Sequence, residues 1–194
     1  MLSNEEKRIL LDIAESAIDQ ALKGVTPRPP ALAALPPRLA QIGASFVTLT
    51  QNGRLRGCIG SIEAYRPLAE DVHYNALAAA FRDPRFPPLT PAEWPLTEVE
   101  VSVLSPLKPL EYSSIDDLLQ KLSPEMGLVL EHPRGRATYL PQVWEQIPDP
   151  ELFLASLAQK AGLDPSVYAD PATRLYYYTV DSFSSFSTPN TNGN

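Results

Sequence analysis

Leu10, Ile13, Ala14, Ala17, Ala21 and Leu22 recur at helical spacing, with Ser3 and Glu6 placed as a capping box and Gly24 as a left-handed stop. This pattern predicts one amphipathic helix at the start of the chain. Five prolines between Val25 and Pro37 then interrupt regular hydrogen bonding and predict a connecting strap. From Ala44 to Thr50 the run is β-rich. Asn52-Gly53 follows as a hairpin signal, so Arg54 to Gly60 is expected to return beside it as a strand. Strict alternation there puts Leu55, Gly57 and Ile59 on one face and Arg54, Arg56, Cys58 and Gly60 on the other.

Pro67, at a first helical position, and the stripe Leu68, Val72, Ala76, Ala79 and Ala80 predict a second helix that ends at Arg82-Asp83-Pro84. Asp83 to Leu89 is a proline-stiffened loop around Arg85 and Phe86. Thr97 to Leu104 alternates Val99, Val101 and Val103 against Glu98, Glu100 and Ser102, whose face is either solvated or an acid–base surface. Downstream, Ser114 caps a short helix closed by Pro124, and a hairpin turns at Pro133-Arg134-Gly135. Trp144 lies in a helical turn, and Asp149-Pro150 opens a helix burying Phe153, Leu154, Leu157 and Ala158. Arg174 to Val180 reads as a last strand, and Ser184 to Asn194 as a disordered polar tail. The pattern is α+β: an antiparallel sheet built from hairpins, flanking helices and a smaller lobe.

Charge and composition narrow the function. With 194 residues and a formal charge of −7, the chain lacks the basic surface that attracts duplex nucleic acid or an anionic membrane. Its longest apolar run, Ala76 to Phe81, falls far short of the roughly 20 residues of a membrane span. A single cysteine and an acidic, polar N-terminus fit a cytoplasmic location. His73 and His132 stand in unrelated elements without ligand spacing, and no phosphate-binding glycine loop occurs, so neither a metal nor a cofactor is expected.

The chemistry concentrates in Arg54 to Gly60, which holds two arginines, the cysteine and two glycines. Arg56 favours a thiolate at Cys58 if both share a face; the alternative is a packed small thiol beside a bulge. Leu55-Arg56-Gly57-Cys58-Ile59-Gly60 resembles the signature hexapeptide of the AMMECR domain family. Ala79 to Leu89, Glu98 to Leu104, Leu140 to Trp144, Phe153-Leu154 and Lys160 to Leu163 are similar to further blocks of that family in order and spacing. The resemblance covers about residues 5 to 182. It implies one AMMECR-type domain over residues 1–183, in one lobe or two, and association with a radical-SAM protein and a Memo-like protein.

Two functions follow as expectations. In the first, the chain is an enzyme or enzyme subunit acting on a small anionic substrate. Cys58 would be its nucleophile, and Arg56, Gly57, Gly60, Asp83, Arg85 and Phe86 would bind the substrate. In the second, the same face is a non-catalytic module that docks a protein partner or ligand.

Overall fold

The computed structural model describes residues 1–185, which form two compact units, one of Met1–Leu104 continued from Asp181, the other of Ser105–Val180. The architecture is α+β, with four helices and nine strands in antiparallel sheets among the described residues.

In the first unit, α1 (Asn4–Leu22) begins with the expected capping box. Glu6 N–H donates to Ser3 Oγ at 3.1 Å, and Ser3 N–H donates to Glu6 Oε2 at 2.8 Å. Strands β1 (Ile42–Gln51) and β2 (Arg54–Gly60) form the hairpin across Asn52 and Gly53, whose φ angles of 50° and 74° suit this pair of residues. The two-residue strand β3 (Arg66–Pro67) also pairs with β1, so Pro67 closes a strand immediately before α2 (Leu68–Phe81) instead of opening the helix. Strands β4 (Thr97–Leu104) and β9 (Val180–Ser184) complete the order β2-β1-β4-β9.

Both helices cover one face of this sheet, because Val47, Leu49, Val99 and Val101 point there and pack with Leu10, Ile18, Val72 and Ala76. The small side chains of α2 let it lie close, since a Cβ on Gly57 would overlap the carbonyl oxygen of Ala79. The opposite face carries Thr48, Cys58 and Glu100.

In the second unit, β5 (Lys108–Pro109), β6 (Gly127–His132), β7 (Gly135–Tyr139) and β8 (Arg174–Tyr178) form a sheet in the order β5-β8-β6-β7. Helix α3 (Ile115–Lys121) is capped by Ser114, and α4 (Pro150–Lys160) by Asp149, as the sequence pattern requires. The Phe153 and Trp144 rings stack at 3.7 Å in a core shared with Leu118, Leu128 and Leu157.

The strand expected from Arg174 to Val180 is interrupted at Thr179. The chain then enters β9, where Ser184, expected in the tail, is buried. The rest of that tail, from residue 186, lies outside the described residues.

Candidate functional site

The hairpin register decides which way the signature side chains face. Leu49 stands opposite Gly57 and Thr50 opposite Leu55, which leaves Arg56 as the surplus residue of a β-bulge. Past the bulge, Gly57 and Ile59 follow Leu49 and Val47 toward the helices, and Cys58 follows Thr48 onto the open face. Before it, Leu55 follows Thr50 onto the open face as well. Simple alternation, which grouped Leu55 with Gly57 and Arg56 with Cys58, therefore does not hold across this strand.

Arg56 turns to the loop after α2. Only 7% of it is exposed. Its Nε donates to Glu93 Oε1 at 2.9 Å, and its Nη2 donates to the Pro87 carbonyl at 2.9 Å and Glu93 Oε2 at 3.3 Å. The Arg56 hydrogen bond, helped by the Thr90 N–H, pulls the Glu93 carboxyl down to about 2. The Phe86 ring lies 5.8 Å from the Arg56 guanidinium and 5.6 Å from that of Arg85. Arg56 thus braces the proline-rich loop, leaving its buried Nη1 without a partner.

Asp83 pairs with Arg85, two residues on in the same loop. Its Oδ1 accepts from Arg85 N and Nε, both at 3.0 Å, and its Oδ2 accepts from Arg85 Nη2 at 2.8 Å and from the Cys58 N–H at 2.9 Å. The Arg85 guanidinium holds this carboxyl well below the usual carboxylate range. Arg85 Nη2 also reaches the Cys58 carbonyl at 3.3 Å. Strand β2 is a sheet edge, and the two side chains satisfy the outward peptide groups of Cys58 as a neighbouring strand would.

The Cys58 side chain is left half-buried, its Sγ accepting from the Thr48 hydroxyl at 3.2 Å. The structure brings Cys58, Asp83 and Arg85 together and directs the Arg56 guanidinium to Glu93. Gly57 is explained by its closeness to α2. A Cβ at Gly60 would collide with the Ser45 carbonyl and with Phe46, which lies against that glycine.

Several polar positions escape sequence reasoning. Glu93 sits in a stretch without periodicity. A buried network on α2 and β1 is equally silent: Asp71 Oδ2 accepts from Ser45 N and Oγ and from Asn75 Nδ2, and Asp71 Oδ1 accepts from Arg66 Nε at 2.8 Å. The spacing of Asp71 and Asn75, four apart on an otherwise apolar helix face, is the one signal that could have found it. His73 is buried on α2, where desolvation lowers its pKa, and His132 pairs with Asp170 at 3.0 Å in the second unit. Among the described residues, no group of three or more His, Cys, Asp or Glu side chains is placed to hold a metal ion. No helix among them is long and apolar enough to cross a membrane.

Comparison with known proteins gives a consistent result. The family model AMMECR1 matches residues 11–183. A protein of Methanothermobacter thermautotrophicus is 41% identical over 187 residues, covering 94% of this chain and 95% of its own length. One of Thermofilum pendens is 35% identical over 198 residues, covering 94% and 91%. The crystal structure of the uncharacterized protein PH0010 from Pyrococcus horikoshii superposes with a TM-score of 0.79 at 34% identity, covering 94% of this chain and 93% of that one.

Proposed function

The chain belongs to the AMMECR1 family, and from that premise we propose that it is an enzyme, or a subunit of one, acting on a small anionic substrate at Cys58. One observation carries the proposal. The main chain of Cys58 is clamped on both sides by Asp83 and Arg85, while its sulfur stands half-exposed on the open face with a hydroxyl donor 3.2 Å away. Such a clamp fixes the nucleophile's position before substrate arrives, and a hydroxyl donor stabilises the thiolate form.

In this proposal the Cys58 thiolate bonds to an electrophilic substrate atom as that atom's bond to its leaving group breaks, the leaving group departing with the bonding electron pair. Arg85, with 55% of its side chain exposed and two of its nitrogens anchored on Asp83, presents its remaining N–H groups to the substrate's negative charge. Arg56 and Phe86 act one step back by holding the loop that carries Arg85. Gly57 and Gly60 set the closeness of α2 and Phe46 to the strand. The chain would work with a radical-SAM protein and a Memo-like protein, the partners that the family resemblance implies.

A second proposal is a non-catalytic module that docks a partner or ligand on the same face. The pairing of both guanidiniums with carboxylates, Arg56 with Glu93 and Arg85 with Asp83, favours it, since each arginine already has its counter-ion. Iodoacetamide alkylation of the intact protein at neutral pH, located by mass spectrometry, separates the two. An enzyme is expected to react at Cys58 faster than a free model thiol, and Cys58→Ser and Cys58→Ala should both abolish activity in the cell. A rate at or below that of the model thiol, with function kept by either variant, overturns the enzyme in favour of the module.

A further inference from the structure

Arg66, in the short strand β3, has one edge of its guanidinium engaged and one end free. Its Nε donates to Asp71 Oδ1 at 2.8 Å, and its Nη2 reaches Asn75 Oδ1 at 3.4 Å. These two nitrogens share one edge of the planar group, and that edge is turned toward the buried side chains of Ser45, Asp71 and Asn75. The rings of Tyr65 and Tyr74 pack against the guanidinium, their centroids 4.8 and 4.9 Å from its Cζ. Of the five N–H groups of an arginine, the two on Nη1 and one on Nη2 are left over. They form the end of the fork, a pair of parallel donors that matches two oxygens of an anion.

Asp71 shares its charge with neutral donors. Its Oδ2 accepts from Ser45 N at 2.9 Å, Ser45 Oγ at 2.6 Å and Asn75 Nδ2 at 2.9 Å, and Arg66 gives the carboxylate a single N–H. The Asp71 side chain is 2% exposed and that of Arg66 22%, so the carboxylate is sealed inside while the cation meets water. Tyr65 and Tyr74 are both exposed, and neither hydroxyl has a hydrogen-bond partner among the described residues.

We propose that the free end of Arg66, with the hydroxyls of the two tyrosines packed against it, binds a phosphoryl group, that of free phosphate or of a small phosphate monoester. Three N–H and two O–H donors suit a group with three or more terminal oxygens better than the two of a carboxylate. Because Arg66 is already held by Asp71 and Asn75, it loses little side-chain freedom when the anion arrives. Cys58 has no part in this site.

The test is titration of the intact protein with inorganic phosphate, phenyl phosphate and acetate at constant ionic strength, followed by proton–nitrogen correlation NMR of the backbone amides and arginine Nε–H groups. Both phosphates are expected to give saturable shifts at Tyr65, Arg66 and Tyr74, and acetate to bind about fivefold or more weakly. Whichever phosphate binds tighter tells the free ion from the ester. Tyr65→Phe and Tyr74→Phe keep the rings and should each weaken phosphate binding about fivefold, the worth of one hydrogen bond. Arg66→Lys keeps the charge but not the fork and should lose about tenfold or more.

The lysine variant also disturbs the contacts to Asp71, so the two phenylalanine variants, which leave those contacts alone, decide the matter. Shifts that do not saturate, or unchanged phosphate affinity in either phenylalanine variant, overturn the site. Acetate binding as tightly as phosphate overturns the phosphoryl assignment. Saturable shifts at Arg85 and Cys58 with none at Arg66 place the anion at the other guanidinium and likewise overturn it.

Discussion

Replacing Asp83 with Asn keeps the shape of the side chain and removes its charge, and the consequence follows from its contacts. The carboxylate accepts four hydrogen bonds at 2.8–3.0 Å, from Cys58 N and from Arg85 N, Nε and Nη2. An amide offers one oxygen, and whichever way it turns, its NH2 faces a donor in a place where Asp83 is only 4% exposed. A buried donor left without an acceptor costs about 1–3 kcal/mol, and hydrogen bonds to charged groups contribute about 1.5–3. Arg85 is largely exposed and can turn to water, so the loss should stay below the roughly 3–5 kcal/mol of a fully buried broken pair.

The expected destabilisation is therefore about 2–3 kcal/mol at neutral pH, read by urea unfolding. Faster hydrogen exchange of the Cys58 amide should accompany it. Because the folded carboxyl is depressed, the stability it confers is present above the ordinary value near 3.9 and is lost as pH falls toward the folded one. The gap between wild type and variant should thus hold above about pH 5 and close below about pH 4. A variant within about 0.5 kcal/mol of wild type at neutral pH, or one with unchanged protection at Cys58, would refute the clamp.

Arg56→Lys cannot reproduce a planar contact with both Glu93 oxygens and the Pro87 carbonyl, and should cost about 1–3 kcal/mol with faster exchange in the loop after α2. An unchanged urea midpoint would argue that Arg56 is not a brace. Gly57→Ala drives a methyl into the Ala79 carbonyl, so α2 must move away from β2 at a cost of about 1–3 kcal/mol, checked by thermal unfolding. Phe153→Ala removes a fully buried ring stacked on Trp144 and should cost about 3–5 kcal/mol. Red-shifted indole emission is the matching signature, and its absence would argue against that stack.

The sequence carries the elements whose rules are local. The capping box at Ser3, the turn at Asn52-Gly53 and the caps at Ser114 and Asp149 each depend on residues within four positions, and each is where the pattern puts it. What escapes it depends on register or on distant partners. The bulge at Arg56 is invisible in a run that alternates correctly by composition, yet it sends one arginine away from the cysteine. The arginine beside Cys58 is Arg85, twenty-seven positions on, brought there by the close approach of α2 that Gly57 permits. Glu98 and Glu100 read as either a solvated or an acid–base face, and only cross-strand pairing sets Glu100 in line with Thr48 and Cys58. Strand β9 is missed because its residues are mostly small and polar, and only pairing with β4 gives them a place.

That late strand has a consequence for how the chain is made. Strand β9, whose Asp181 anchors Lys7 at 2.7 Å and the Leu2 N–H at 3.3 Å, follows the whole second unit in the chain, so the first sheet lacks it until that unit has been made. Helix α1 must wait for a strand made after the entire second unit. Nascent chains stalled with β9 still inside the exit tunnel should therefore remain open to protease at α1.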